Sequence, residues 1–172
     1  QKGLRCALFV LCFSGALHAR GKWEWPRAAH SWHWPLLERM ARDLWLLPED
    51  PDASAAQLRE ALQQHSGIDL GVVITDSHNR PWRMGTIGCA IGCAGIRVLD
   101  DQVGGRDIYG RTLHATLINR ADAIASAATL VMGETTEKLP VVIVRGLNST
   151  QTLNDQDNAS MINRPLEEDL FR

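Results

Sequence analysis

Apolar and polar positions along the chain sort into helical and extended segments. From Ala53 to Gln64 the apolar residues recur on one face, with Leu58 and Leu62 four apart, which predicts one amphipathic helix. Asp52, just after Pro51, stands as its cap, and Ser66-Gly67 ends it. Val72-Val-Ile-Thr75 is a β-branched run and reads as a buried strand. Asp76 closes the run, and a polar turn with Asn79 and Arg80-Pro81 follows, where proline fixes φ and removes a donor. Thr86 to Ile96 reads as a second extended stretch, rich in small residues that let another backbone or a ligand come close. Residues 98–107 read as a polar loop and 112–118 as a strand. Arg120 to Met132 reads as an Ala-rich helix stopped by Gly133, Pro140 to Val144 as a buried strand, and 147–163 as polar and irregular. No repeat is present. Helices and strands alternate without a steady βαβ rhythm, so the class is α+β, a mixed sheet with packed helices.

Composition narrows this only a little. A chain of 172 residues suits one domain, or one and a fraction, with a real core. Apolar content of 45% and charged content of 22% are ordinary for a globular protein. The net charge of −2 gives no electrostatic case for nucleic acid or an anionic membrane as partner, so any basic site for phosphate is local. Of the four cysteines, Cys89 and Cys93 would share one side of an extended strand. Their spacing is too wide for a Cys-x-x-Cys knuckle, and they read as buried free thiols. No disulfide framework is visible, which fits a reducing compartment. Gly88, Gly92 and Gly95 do not make a dinucleotide fingerprint, since the spacing is wrong and no helix pattern follows.

Residues 1–45 differ from the remainder. Five of the six tryptophans lie there. Lys2 and Arg5 precede the apolar run Cys6 to Leu17, and Ala16-Leu-His-Ala19 has the look of a cleavage site. That outline matches a secretory signal and is too short for a membrane span. A foreign segment joined to the body is another reading. His30 and His33 without a third ligand nearby make no metal site. The expected division is an atypical head, 1–45, and a body, 46–172.

The candidate chemistry starts at Val72 to Arg83. A carboxylate, an amide and two arginines gather there at a strand's end, where a rigid scaffold often presents function. A carboxylate beside basic groups suits a metal ion holding a phosphate; the plain alternative is a surface loop with solvated charges. The motifs that follow change the balance. They are Gly85-Thr-Ile-Gly-Cys-Ala-Ile-Gly-Cys-Ala-Gly-Ile96, Gly105-Arg-Asp-Ile-Tyr-Gly-Arg111, Ala121-Asp-Ala-Ile-Ala-Ser-Ala-Ala128, Leu130-Val-Met-Gly133, Pro140-Val-Val-Ile-Val-Arg-Gly146 and Arg164-Pro-Leu-Glu-Glu-Asp-Leu-Phe-Arg172, led in by Leu46-Leu-Pro-Glu-Asp-Pro-Asp-Ala-Ser54. Together, in this order, they resemble the coenzyme F-420-0:L-glutamate ligase family over about residues 46–172; residues 1–45 do not.

The resemblance implies a GTP-dependent enzyme that adds L-glutamate to coenzyme F-420-0 through a γ-linked amide, by way of an acyl phosphate. It implies a family-like α+β fold, an intertwined homodimer and a cytoplasmic location. It brings in GTP as substrate, Mg²⁺ or Mn²⁺, and also K⁺. By matching motifs, Asp76 and Asp122 correspond to acidic metal positions, and both are the expected catalytic residues. Asn79, Asn158 and Ser160 correspond to nucleotide contacts, and Asn158 also to a metal position. Many members carry Asp-Glu where this chain has Asp122-Ala123, and Asn158 stands where Glu is usual, with Asp157 one residue away. Asp122 read plainly is a first-turn acid favoured by the helix dipole. Arg80, Arg83, Arg111 and Arg145 are either phosphate clamps or ion-pair partners of Asp100, Asp101 or Asp107. His78 reads as exposed and incidental, and Ser77 has no nucleophile elbow around it. The second reading of the whole is a non-catalytic nucleotide- or metal-binding remnant with a role in assembly.

Overall fold

The computed structural model describes the backbone of residues 7–12, and residues 47–137, 139–147 and 154–168. In chain order the elements are β1 (Ala7–Cys12), α1 (Pro51–Ser66), β2 (Leu70–Asn79), β3 (Thr86–Ala94), β4 (Leu99–Asp101), β5 (Leu117–Asn119), α2 (Arg120–Met132) and β6 (Val141–Val144). Short 3₁₀ turns follow at Ala159–Ile162 and Leu166–Glu168. The main sheet has the order β3-β2-β1-β6, and β4 pairs with β5 in a separate ribbon. β1 runs parallel to β2 and antiparallel to β6, and β2 runs antiparallel to β3, so the sheet is mixed. This bears out the α+β reading.

Alternation along β2 sets the layers. Val72 and Ile74 join Leu70 and Ala94 against Ala55, Leu58 and Leu62 of α1. Val73, between them, packs with Cys93, Ile96 and Val98 against Ala121, Ile124, Ala125 and Ala128 of α2. Successive strand residues point to opposite faces, so the two helices cover opposite faces of the sheet. Gly88 and Gly92 of β3 permit this close packing. A Cβ on Gly88 would run into the Ala125 carbonyl and Thr129 of α2, and one on Gly92 into the Pro51 carbonyl of α1.

Several expectations shift. Asp50, not Asp52, caps α1: its Oδ1 accepts from Ala53 N at 2.9 Å, and Pro51 takes the first helical position, where no backbone donor is needed. The expected stop is in place, with Gly67 at φ 65 and its N–H on the Gln63 carbonyl. The 72–75 strand extends to Leu70–Asn79 because its polar end pairs with β3 through Asn79↔Thr86. The 98–107 loop contains β4. Of the expected strand 112–118 only the end pairs regularly, because 102–116 folds back on itself through Leu113 N to Gly105 O and the Arg106↔Thr112 bridge. Within the signal-like run, Ala7–Cys12 is a strand between β2 and β6. The expected helix Arg120–Met132 and the strand at 140–144 are found with those bounds to within a residue.

The two cysteines do not share a face. Thr75 pairs with Ala90 and Ile74 with Gly92, so Ile91 is an extra residue on β3, a bulge. Ala90 and Cys93 both pack toward α2, and Cys89, next to Ala90, points the other way.

Candidate functional site

β3 lies at an edge of the sheet, and the bulge decides what its backbone offers. In a regular strand, N–H groups three residues apart point to opposite sides. Here those of Ala90 and Cys93 both meet helix carboxylates. Ala90 N donates to Asp122 Oδ1 at 2.8 Å, and Cys93 N donates to Asp52 Oδ1 at 2.8 Å. Ser126 of α2 adds a bond of 2.7 Å to the Gly88 carbonyl. An edge strand that would otherwise be open to pairing is covered by side chains from both helices.

Asp122 sits in the first turn of α2, behind the cap Asn119. The Asn119 amide donates to Asp122 Oδ2 at 2.7 Å, and Asp122 N donates back to Asn119 Oδ1 at 3.0 Å. This reciprocal arrangement is close to a capping box. Asp76 lies on β2 directly opposite Cys89, and its Oδ1 accepts from Ser77 N at 2.8 Å. Both carboxylates act on the half-buried Cys89 thiol. Burial, then Asp122, then Asp76 push it above its ordinary range. Asp76 and Asp122 therefore flank the same point of β3.

The other expected residues lie elsewhere. Asn79 is exposed at the far end of β2, paired with Thr86, an odd number of residues from Asp76 and so on the other face. Asn158 precedes the 3₁₀ turn Ala159–Ile162, and Ser160 Oγ donates to its Oδ1 at 2.6 Å. That turn is tied to Asp52, and through it to Cys93, which stands opposite Val73, three residues or about 10 Å along β2 from the Asp76–Cys89 pair. Asn158 and Ser160 are thus brought together with each other, but not with Asp76 and Asp122. Asp157 accepts from Val98 N through Oδ2 at 3.1 Å and from the Asn154 amide through Oδ1 at 2.7 Å.

The donor set bears on a divalent ion directly. Among the described residues no group of three or more His, Cys, Asp or Glu is placed to hold a metal. Two carboxylates alone suit a hard cation that takes its remaining ligands from water and phosphate oxygens, which is the habit of Mg²⁺. Asp76 and Asp122 fit that role in chemistry, and Asn158 lies apart from them.

Of the arginines, Arg111 pairs with Asp107 at 2.8 Å and stacks over Tyr109, while Arg97 and Arg120 serve Asp100. Arg80, Arg83 and His78 are exposed. Sequence reasoning missed Arg59, which lies in a groove of about 350 Å³ between α1 and residues 155–158. It also gave Asp52 the wrong task. A second acid inside the first turn, after Asp50 and Pro51, was the available signal.

The F420-0:Gamma-glutamyl ligase family model matches residues 38–146. The chain is 47% identical over 128 residues to the coenzyme F420:L-glutamate ligase of Methanopyrus kandleri, covering 74% of this chain and 51% of that protein. It is 43% identical over 126 residues to that of Methanothermobacter thermautotrophicus (73% and 50% covered) and 44% over 127 residues to that of Methanocaldococcus jannaschii (74% and 50%). The chain spans about half the length of these relatives. Together the ordered motifs, the extended match and these identities establish that the chain belongs to the F420-0:gamma-glutamyl ligase family.

Proposed function

We propose that this chain contributes the metal- and nucleotide-binding half of a GTP-dependent ligase that joins L-glutamate to coenzyme F-420-0. The observation that carries the reading is the convergence of Asp76 and Asp122 on Cys89–Ala90, in a chain of this family. Amide formation from a free carboxylate is uphill in water, so the acid is first activated. The acceptor carboxylate attacks the γ-phosphorus of GTP, GDP leaves, and an acyl phosphate forms. The glutamate amine then attacks the acyl carbon, loses its proton, and expels phosphate. Asp76 and Asp122 would hold Mg²⁺ or Mn²⁺, which would supply charge neutralisation for the phosphates. Asn119 and Ala90 N hold the Asp122 carboxylate in one orientation, which preorganises the site before substrate arrives. Asn79, Asn158 and Ser160 serve as nucleotide contacts, and K⁺ is a further ion to test.

The working unit in this reading is a homodimer. Trp82 and Met84, at 92% and 102% exposure, stand on the β2–β3 turn, and Leu130 and Val131 on α2 are also exposed. The bond from Thr86 to Glu134 puts these two apolar groups at the same end of β3. Among the described residues no helix is long and apolar enough to cross a membrane.

The test is incubation of the purified chain with F-420-0, GTP, Mn²⁺ and glutamate, followed by mass spectrometry. A GTP-dependent gain of glutamyl units, abolished in Asp76→Asn, is the expected outcome. No gain beside an active full-length relative would overturn the ligase reading for this chain.

A further inference from the structure

Three backbone N–H groups from two distant segments converge on one carboxylate. Asp52 Oδ1 accepts from Cys93 N at 2.8 Å and from Ala159 N at 2.8 Å, and Oδ2 accepts from Ser160 N at 3.2 Å. The first comes from the edge strand β3. The other two come from the turn that carries Asn158 and Ser160. More than a hundred residues of chain separate Asp52 from that turn, so nothing local enforces the contact. Charge-assisted bonds of this kind are roughly twice as strong as neutral ones.

The same helix grips the segment a second time. About two turns along α1, Arg59 Nη2 meets Asp155 at 2.7 Å while its Nε donates to the Leu70 carbonyl at 2.7 Å. Gly95, at φ 70, lies against this guanidinium, where a Cβ would collide with it. Asp155 is largely exposed, so this second grip is the weaker one. Asp157, between the two grips, is fixed to Val98 N. The backbone of 155–160 is thereby registered on α1 and β3, and Asn158 Oδ1 is left facing the Ser160 hydroxyl.

We infer that Asp52 is a positioning residue for nucleotide binding: its carboxylate sets the Asn158–Ser160 turn on β3 in the register at which those side chains meet GTP. The inference rests on the proposed function, because it takes Asn158 and Ser160 as nucleotide contacts. Asp52 has both carboxylate oxygens engaged by backbone N–H groups. It acts through the turn, and its effect is therefore read through Asn158.

A double-mutant cycle on the whole chain decides the matter. Mn²⁺-dependent GTP affinity is measured for the wild type, Asp52→Ala, Asn158→Ala and the double variant, with Leu62→Ala as a stability control, since Leu62 is buried against β2 and remote from the turn. Asp52→Ala is expected to weaken GTP about tenfold. The double variant is expected to lose less relative to Asn158→Ala than Asp52→Ala loses relative to the wild type, the remainder passing through Ser160, and Leu62→Ala to bind as the wild type does below its melting temperature. Asp52→Asn keeps an acceptor for Cys93 and Ala159 but loses the one for Ser160, and is expected to fall between wild type and Asp52→Ala. Additive losses in the double variant, or an equal loss in Leu62→Ala, would overturn the positioning role and leave the proposed function standing. A wild type that binds no GTP would overturn both.

Discussion

Cys93 and Cys89 show how one extra residue redirects side chains. Cys93 is buried in the α2 layer, and burial, with Asp52 and Asp122 nearby, pushes its thiol far up. The folded state thus holds that proton more tightly than the unfolded chain, whose thiol titrates near 9.0. A group raised in this way contributes stability that is full below the unfolded value and is lost as pH rises beyond it. Stability should therefore fall above about pH 9, and fall less steeply in Cys93→Ala. Urea midpoints for the two proteins on either side of that pH check this; parallel curves would sink it. Asp50 gives a simpler case. Asp50→Ala removes a single cap bond and should cost about 1 kcal/mol in denaturant unfolding. At this scale the residue types were legible and their tasks were not. A Pro between two acids allowed either to be the cap, and only the tertiary contact of Asp52 with Cys93 decided which.

At the scale of elements, β3 carries most of the information in the fold. It is short of large side chains because it is squeezed from both faces, by α1 at Gly92 and by α2 at Gly88. The alternation of Gly, Ala and Cys from Thr86 to Ala94 was readable as a demand for close approach. The bulge at Ile91 was not, since a bulge is a property of pairing and leaves no periodic trace in its own strand. Gly88→Ala is expected to force α2 outward and cost about 1–3 kcal/mol, because the obstacle is the backbone carbonyl of Ala125. Gly92→Ala should do the same to α1 through the Pro51 carbonyl. Gly104→Ala has no such obstacle, but sits at φ 83, where a side chain is strained, so its smaller loss isolates the backbone effect. Calorimetric melting of the three variants separates packing from strain, and equal losses in all three would contradict the close-packing account. The second helix was legible to the residue and the first to within two residues at each end, because both have a local stop in Gly67 or Gly133. Of the candidate site, Asp76 and Asp122 were found from motif resemblance. Their convergence on Cys89–Ala90 depends on the edge position of β3, which no local pattern encodes.

At the scale of the molecule, the sheet does not respect the boundary that composition suggests near residue 46. β1, at Ala7–Cys12, is hydrogen-bonded to β2 over six residue pairs and to β6 over four. It runs parallel to β2, with α1 in the crossover, as parallel neighbours require. Without it, β2 would become an edge at Leu70–Thr75, a run of buried apolar residues with no charge to deter pairing with another chain. Among the described residues, β6 would lose its only strand partner. A chain beginning at Leu47 is therefore expected to aggregate, or to unfold at lower denaturant and without a single cooperative transition, although α1, α2 and both candidate carboxylates are retained. Size-exclusion chromatography and a urea titration of the two lengths side by side provide the check. If the shorter chain is monodisperse with an unchanged midpoint, β1 is dispensable and the body is complete from residue 47. If it aggregates, and Lys substitutions on the bared β2 edge restore solubility but not the midpoint, the loss is that of a central strand.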